Sequence, residues 1–210
     1  MRASPVGSLE RPILEDVIRN HRVVILCLTQ LAALLLNPTR DTRAAVALSA
    51  AQKPAEAKLQ LTSSSFEADS ALPAKYTCDG VGVSPALAWT EPPDGTQGFA
   101  LVVDDPDVPT KTVVHWLIYD LPPATRALPE GVPTKAKLPD GSRQGKNVAG
   151  KVGYTGPCPQ KGGAAHHYFF KLYALDYQTG LKPKATAADL EKAIKGHILA
   201  QAELIARFQH

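Results

Sequence analysis

Asp105 and Asp107 are the first residues in this chain whose types and spacing could do chemistry. They flank Pro106 in the run Asp104-Asp105-Pro106-Asp107-Val108-Pro109, and His115 follows on the next apolar stretch. Proline fixes its own φ and pushes the residue before it into extended conformations. Pro106 and Pro109 should therefore hold the corner stiff and set the directions of both carboxylates. A rigid acidic corner beside an inward imidazole forms the wall of a small polar pocket. The plainer alternative is an acidic hairpin turn with His115 satisfied in the core, since turns favour Asp and Pro. His166 and Tyr168 stand where a loop enters another apolar stretch, and they point the same way. Asp105, Asp107, His115 and His166 are also common ligand types for divalent ions. No short ligand spacing such as HExxH occurs, so neither a metal nor a cofactor is expected. Catalysis would need a nucleophile with a base and an orienting acid. The nearest candidates, Ser84 and Cys158, sit in no G-x-S-x-G elbow, and the expectation is a protein that is not an enzyme. The alternative is a metal-dependent or His/Asp hydrolase using the same pocket.

Strands must position these groups. Gly98–Val103 and Thr112–Asp120 read as two core strands joined by the acidic corner. Strict alternation along the second puts His115, Leu117 and Tyr119 on one face and Val114, Trp116 and Ile118 on the other. Along His167–Leu175, Tyr168, Phe170, Leu172 and Ala174 oppose His167, Phe169, Lys171, Tyr173 and Leu175. His167 should face outward, and Trp116 could line the back of the pocket. Leu59–Phe66, Ala74–Cys78 and Leu87–Thr90 are shorter strand candidates, and Pro92-Pro93-Asp94-Gly95 is a strong turn. Thr125–Lys151 is rich in Gly and Pro and reads as loop. Its Gly141–Asn147 stretch has the wrong spacing for a phosphate-binding P-loop. Thr186–Phe208 carries an apolar stripe at helical spacing (Leu190, Ile194, Ile198, Ile205), and Thr186 with Asp189 resembles a capping box.

A length of 210 residues allows one good-sized domain with an appendage, and 18 prolines point to a loop-rich β body. The net charge is +3, but from Gln52 onward seventeen basic side chains face sixteen acidic ones. That balance, without a basic stripe, excludes nucleic acid as an expected partner. Arg19, His21 and Arg22 precede the apolar run Val23–Leu36, with small residues from Ala44 to Ala51. This is a secretory signal pattern, too short for a comfortable membrane span of roughly 20 residues. The expected organisation is a signal or anchor-like segment over 1–51, a linker over 52–58 and a domain over 59–210. The expected location is periplasmic or secreted; the alternative is a membrane anchor, with membrane contact only through the uncleaved segment. Cys27 lies within the apolar run, which leaves Cys78 and Cys158 in the mature chain. An even count in an exported domain points to a disulfide; two buried thiols are the alternative.

Three further pieces, taken together, carry a resemblance. They are Tyr76-Thr77-Cys78-Asp79-Gly80 with Ser84-Pro85 and Leu87-Ala88-Trp89; Asp105-Pro106-Asp107-Val108-Pro109 with His115-Trp116; and Gly153-Tyr154-Thr155-Gly156-Pro157-Cys158-Pro159 with Gly162 and His166-His167-Tyr168. In this order they resemble the phosphatidylethanolamine-binding protein family, in its bacterial Raf kinase inhibitor-like (YbhB/YbcL) branch, over about Leu59 to Phe208. The resemblance implies a mainly β fold: a Greek-key β-sandwich with a C-terminal α-helix, preceded here by the N-terminal signal-like apolar helix. It implies a small anion pocket for phosphate, a phosphoryl headgroup or an acetate-like ion. Asp105 and Asp107 match the acidic corner, His115 the pocket histidine, Pro159 the glycine-proline loop, and His166 and Tyr168 the far wall. It also implies a protein partner, a kinase or a protease, whose identity nothing in the sequence names. The family's usual His-Arg-Tyr is His166-His167-Tyr168 here, and an imidazole cannot reproduce a bidentate arginine. Two imidazoles, a phenol and loop N–H groups can donate to phosphate oxygens. A dianion beside an ionised Asp is repelled, so binding should strengthen at lower pH, where histidine is charged.

Overall fold

The computed structural model describes residues 58–210. The segment expected over 1–51, with its signal-like helix, and residues 52–57 of the expected linker lie outside the described residues. The elements run β1 (Leu61–Thr62), β2 (Leu87–Trp89), β3 (Gly98–Asp105), β4 (Val113–Leu121), β5 (Ala127–Leu128), β6 (Arg143–Gln144), β7 (His166–Leu175), α1 (Ala187–Ile194) and β8 (Ile198–Phe208). They form two sheets, a small one in the order β1-β2-β5 and a large one in the order β6-β4-β3-β7-β8. Every pairing between named strands is antiparallel. The chain is mainly β, as the sequence reading expected. Among the described residues no helix is long and apolar enough to cross a membrane.

The core lies between the sheets. Leu61, Leu87, Trp89 and Leu128 of the small sheet meet Phe99, Leu101, Val103, Trp116, Ile118, Phe170 and Leu172 of the large one. β3 is buried along its whole length because it is central and covered on both faces. Its outer face, Ala100 and Val102, packs with Leu117 and Tyr119 of β4 against Leu190 and Ile194 of α1. The helix starts where expected: Thr186 and Asp189 form a reciprocal capping box.

Three expectations about local structure are corrected. The long helix expected over Thr186–Phe208 is a short helix followed by a long strand. Gly196, with φ of 84°, turns the chain out of helical geometry. β8 then pairs with β7 from Leu175↔Ile198 to His166↔Phe208. Other apolar residues of this run fit period two: Leu204, Ala206 and Phe208 are buried, with Ala200 and Ala202 packed beside them, whereas Ile198 is exposed. Ala74–Cys78 is not a strand; Ala74–Tyr76 form one 3-10 turn. Of Leu59–Phe66, only Leu61–Thr62 pair in the sheet.

A further correction bears on the site. Val103 pairs with Trp116 and Asp104 with Val114, which leaves His115 as an extra residue in β4. Such a bulge re-aims a side chain. Leu117, Tyr119 and Val114 accordingly turn to the helix side, while Trp116 and Ile118 enter the inter-sheet core. His115 sits edge-on to Tyr168, with ring centroids 5.3 Å apart. His115 does not share a face with Leu117 and Tyr119; the bulge turns it toward the core side.

Candidate functional site

The pocket opens at the end of the large sheet where β3 leaves for the acidic corner and β7 enters from a glycine-proline loop. Asp105, Asp107, His115, Pro159, His166 and Tyr168 all line one cavity of about 590 Å³. The structure thus brings together the six residues that the sequence reading named as ligand-binding. Val148, Thr155, Gly156, Gln160 and Ala164 complete the wall. Trp116 does not line it. Trp116 is fully buried, donates from Nε1 to Gln144 Oε1 at 2.6 Å and packs edge-on against Tyr154.

The two carboxylates are engaged inside the protein. Asp105 is 3% exposed. Its Oδ1 accepts the Asp107 N–H at 2.8 Å, which closes the corner on itself, and its Oδ2 lies 2.7 Å from His166 Nδ1. Asp107 is exposed at the rim. Its Oδ2 accepts both the backbone N–H of His167 and His167 Nδ1, each at 2.7 Å. Those bonds, the ring's above all, hold the Asp107 carboxyl below its usual range. His167 therefore does not face idly outward. Its ring and its backbone N–H each give one bond to the corner.

Each imidazole in the pocket is oriented through Nδ1. His115 is 5% exposed, and its Nδ1 lies 3.0 Å from the Thr155 carbonyl oxygen. A carbonyl can only accept, so that nitrogen carries the hydrogen and Nε2 is left free. Burial pushes the His115 imidazolium below its usual range, against opposite pulls from the Thr155 carbonyl and from Asp105 and Asp104. His166 stacks at 6.5 Å on Tyr168, and its bond to Asp105 likewise leaves Nε2 free. Tyr168 is 1% exposed, and its hydroxyl is buried with no hydrogen-bond partner. Burial first, and then the nearby Asp105 carboxylate, keep this phenol protonated far above its ordinary range. The Asp105 carboxylate lies near this donor but outside good hydrogen-bond geometry, so the hydroxyl is poorly satisfied where an unmet donor costs up to about 1–3 kcal/mol.

The loop wall is tied to the Tyr76–Asp79 segment. Tyr154 Oη donates to the Tyr76 carbonyl at 2.7 Å, and the Cys78 N–H donates to the Pro157 carbonyl at 3.0 Å. Gly156 lies so close that an added Cβ would stand 2.9 Å from the Thr77 carbonyl carbon. Cys78 and Cys158 are joined by a disulfide, with Cα atoms 5.3 Å apart, and both are exposed rather than buried thiols. Ser84, considered above as a nucleophile, is buried outside the pocket, and its hydroxyl oxygen accepts the Val132 N–H. The sequence reading missed Thr155, which acts through its backbone carbonyl and so leaves no mark on residue type. It also missed the Asp79–His210 contact at 2.7 Å, which joins the Tyr76–Asp79 turn to the last residue of the chain. A second hollow of about 390 Å³, lined by Lys171, Tyr173, Gln201, Ala202 and Glu203, lies on the other face of the sheet and contains no histidine.

Residues 62–209 match the family described as phosphatidylethanolamine-binding protein. A relative named UPF0098 protein from Methanothermobacter thermautotrophicus is 44% identical over 151 residues, covering 72% of this chain and 99% of its own. Among solved structures, Escherichia coli YbcL, described as a member of the mammalian PEBP family, superposes with a TM-score of 0.69 at 32% identity. That match covers 73% of this chain and 99% of YbcL. The putative PEBP homologue CT736 of Chlamydia trachomatis gives 0.66 at 37% identity, covering 73% and 98%.

Proposed function

The chain belongs to the phosphatidylethanolamine-binding protein family, and on that premise we propose that it is a non-catalytic binding protein for a small anion. The ligand is phosphate or a phosphoryl headgroup, held between His115, His166 and Tyr168. The observation that carries this reading is the buried Tyr168 hydroxyl, protonated and without a well-formed hydrogen bond at the pocket. An anionic oxygen would supply the missing acceptor. Protonated Nε2 atoms of His115 and His166 would donate to other oxygens of the same group.

Asp105 and Asp107 act as positioning groups, because their described bonds go to His166, His167 and the corner backbone. Asp105, the buried carboxylate that lines the pocket, is already engaged by His166 and the Asp107 N–H, so only the rim carboxylate of Asp107 could approach the ammonium of an ethanolamine headgroup. Phosphate and phosphoethanolamine should therefore bind with similar affinity. His115 is neutral at neutral pH and presents an acceptor at Nε2. A monoprotonated phosphoryl group, or a lower pH, satisfies that atom.

The non-catalytic part of the reading rests on the nucleophiles. Cys158 is tied in a disulfide, Ser84 is engaged elsewhere, and the Tyr168 phenol resists ionisation. A modulatory role toward a kinase or protease rests on the family resemblance. Export rests on the signal pattern over 1–51 together with the Cys78–Cys158 bond.

Calorimetric titration with inorganic phosphate, phosphoethanolamine and ethanolamine, at pH 6 and pH 8, tests the reading. One-to-one binding of both phosphoryl compounds, stronger at pH 6, with ethanolamine inert, is expected. Failure of both to bind a folded protein at pH 6 would overturn it.

A further inference from the structure

Beside the pocket, a second cluster of chemically active groups meets at the surface. Cys78 Sγ, Cys158 Sγ and a ring nitrogen of His210 lie within 4.8 Å of one another. His210 Nδ1 is 3.9 Å from Cys78 Sγ and 2.7 Å from Asp79 Oδ1. The two sulfurs are bonded to each other, and both cysteines are exposed, so a reductant can reach them.

The disulfide is not what brings these segments together. The Cys78 N–H bonds the Pro157 carbonyl, and Tyr154 Oη holds the Tyr76 carbonyl. Gly156 is packed against the Thr77 backbone. The end of the chain is clasped to the same loop: the Gly162 N–H donates to the His210 carbonyl at 3.0 Å, and Gln209 Nε2 to the Gly163 carbonyl at 2.8 Å. None of these contacts involves a sulfur. Opening the S–S bond would leave two thiols and an imidazole close together, with the Asp79 carboxylate beside the imidazole.

That donor set has a clear preference. Two thiolates with an imidazole and a carboxylate suit a tetrahedral, borderline-soft ion, with bonds of about 2.0–2.3 Å. To reach those lengths the two sulfurs, no longer bonded, must part and the His210 ring must move toward them. The side chains of His210 and Asp79 are both partly exposed and can supply that movement.

We propose that reduction of the Cys78–Cys158 bond opens a zinc site made by Cys78, Cys158, His210 and Asp79, and that the disulfide form keeps it closed. The reductant is a dithiol. It leaves as its own disulfide, and its two electrons and two protons convert the protein S–S bond into two thiols. Zn²⁺ then displaces those two protons to solvent as both sulfurs bind it as thiolates.

The test uses the full chain carrying Cys27→Ser, so that the only thiols are those of the pair. The protein is reduced with a dithiol, freed of excess reagent without air and titrated with Co²⁺. One equivalent should produce a thiolate-to-cobalt charge-transfer absorption, which Zn²⁺ removes and which the oxidised protein never shows. Cys158→Ser should abolish it. His210→Ala, which removes only a partly exposed side chain, should keep the fold and weaken Co²⁺ at least about tenfold. The proposal is overturned if the reduced, folded protein shows no such absorption. It is equally overturned if His210→Ala and Asp79→Ala bind Co²⁺ as well as the parent, or if reduction alone abolishes the near-ultraviolet circular dichroism of the fold.

Discussion

Replacing Tyr168 by Phe should move stability and binding in opposite directions. The substitution removes one oxygen and leaves the ring in place, buried in the inter-sheet core and edge-on to His115. In the free protein the hydroxyl lies near the Asp105 carboxylate but makes no well-formed hydrogen bond. An unsatisfied buried donor costs about 1–3 kcal/mol, so its removal should leave the free protein unchanged or more stable by about 1 kcal/mol. In the bound protein the same hydroxyl donates to a charged oxygen, a bond that contributes about 1.5–3 kcal/mol. At about 1.4 kcal/mol per tenfold, Tyr168→Phe should weaken phosphate binding about 10- to 100-fold. Urea unfolding reads the first quantity and calorimetry the second. The reasoning fails if the variant binds phosphate as tightly as the parent. It also fails if the variant loses more than about 1 kcal/mol of stability, because the hydroxyl would then have a partner in the free protein.

Three other outcomes follow from the same geometry. The folded His115 pKa is depressed below 6.5, so its contribution to stability is present above pH 6.5 and is lost as pH falls through the folded value; the difference between the pH–stability curves of the parent and His115→Gln should show that loss on the acid side. Gly156→Ala puts a Cβ 2.9–3.1 Å from backbone atoms of Tyr76 and Thr77, which should cost about 1–3 kcal/mol in urea unfolding and weaken phosphate binding by displacing the loop wall. Gly196→Ala meets no neighbour within 4 Å and is strained only by its φ of 84°, so it should cost about 1 kcal/mol while phosphate affinity stays unchanged.

The strands that carry the pocket were legible because their signals are local. β3 is a continuous apolar run, and β7 alternates cleanly, with Tyr168, Phe170, Leu172 and Ala174 all turned to the inter-sheet core. The corner was legible because proline leaves so few conformations to Asp105 and Asp107. What the sequence hid depends on partners distant in the chain. β8 reads as helix because its alanines suit both periods, and only pairing with β7 decides between them. The aim of His115 depends on a bulge that exists only when β4 is laid against β3. His167 was expected to face outward by simple alternation, but the corner comes close enough for Asp107 to take its ring. The capping box of α1 involves residues three apart, and it appeared as read.

The central claim, an anion held between two imidazoles and a phenol, is tested most directly by a chemical-shift titration of the full chain with phosphate at pH 6, repeated for His166→Ala. Saturable shifts confined to Asp105, His115, His166 and Tyr168, with the His115 ring moving toward its protonated position, are the predicted result, and they should be lost in the variant. A folded parent protein whose His115 and His166 signals stay still throughout the titration would contradict the account.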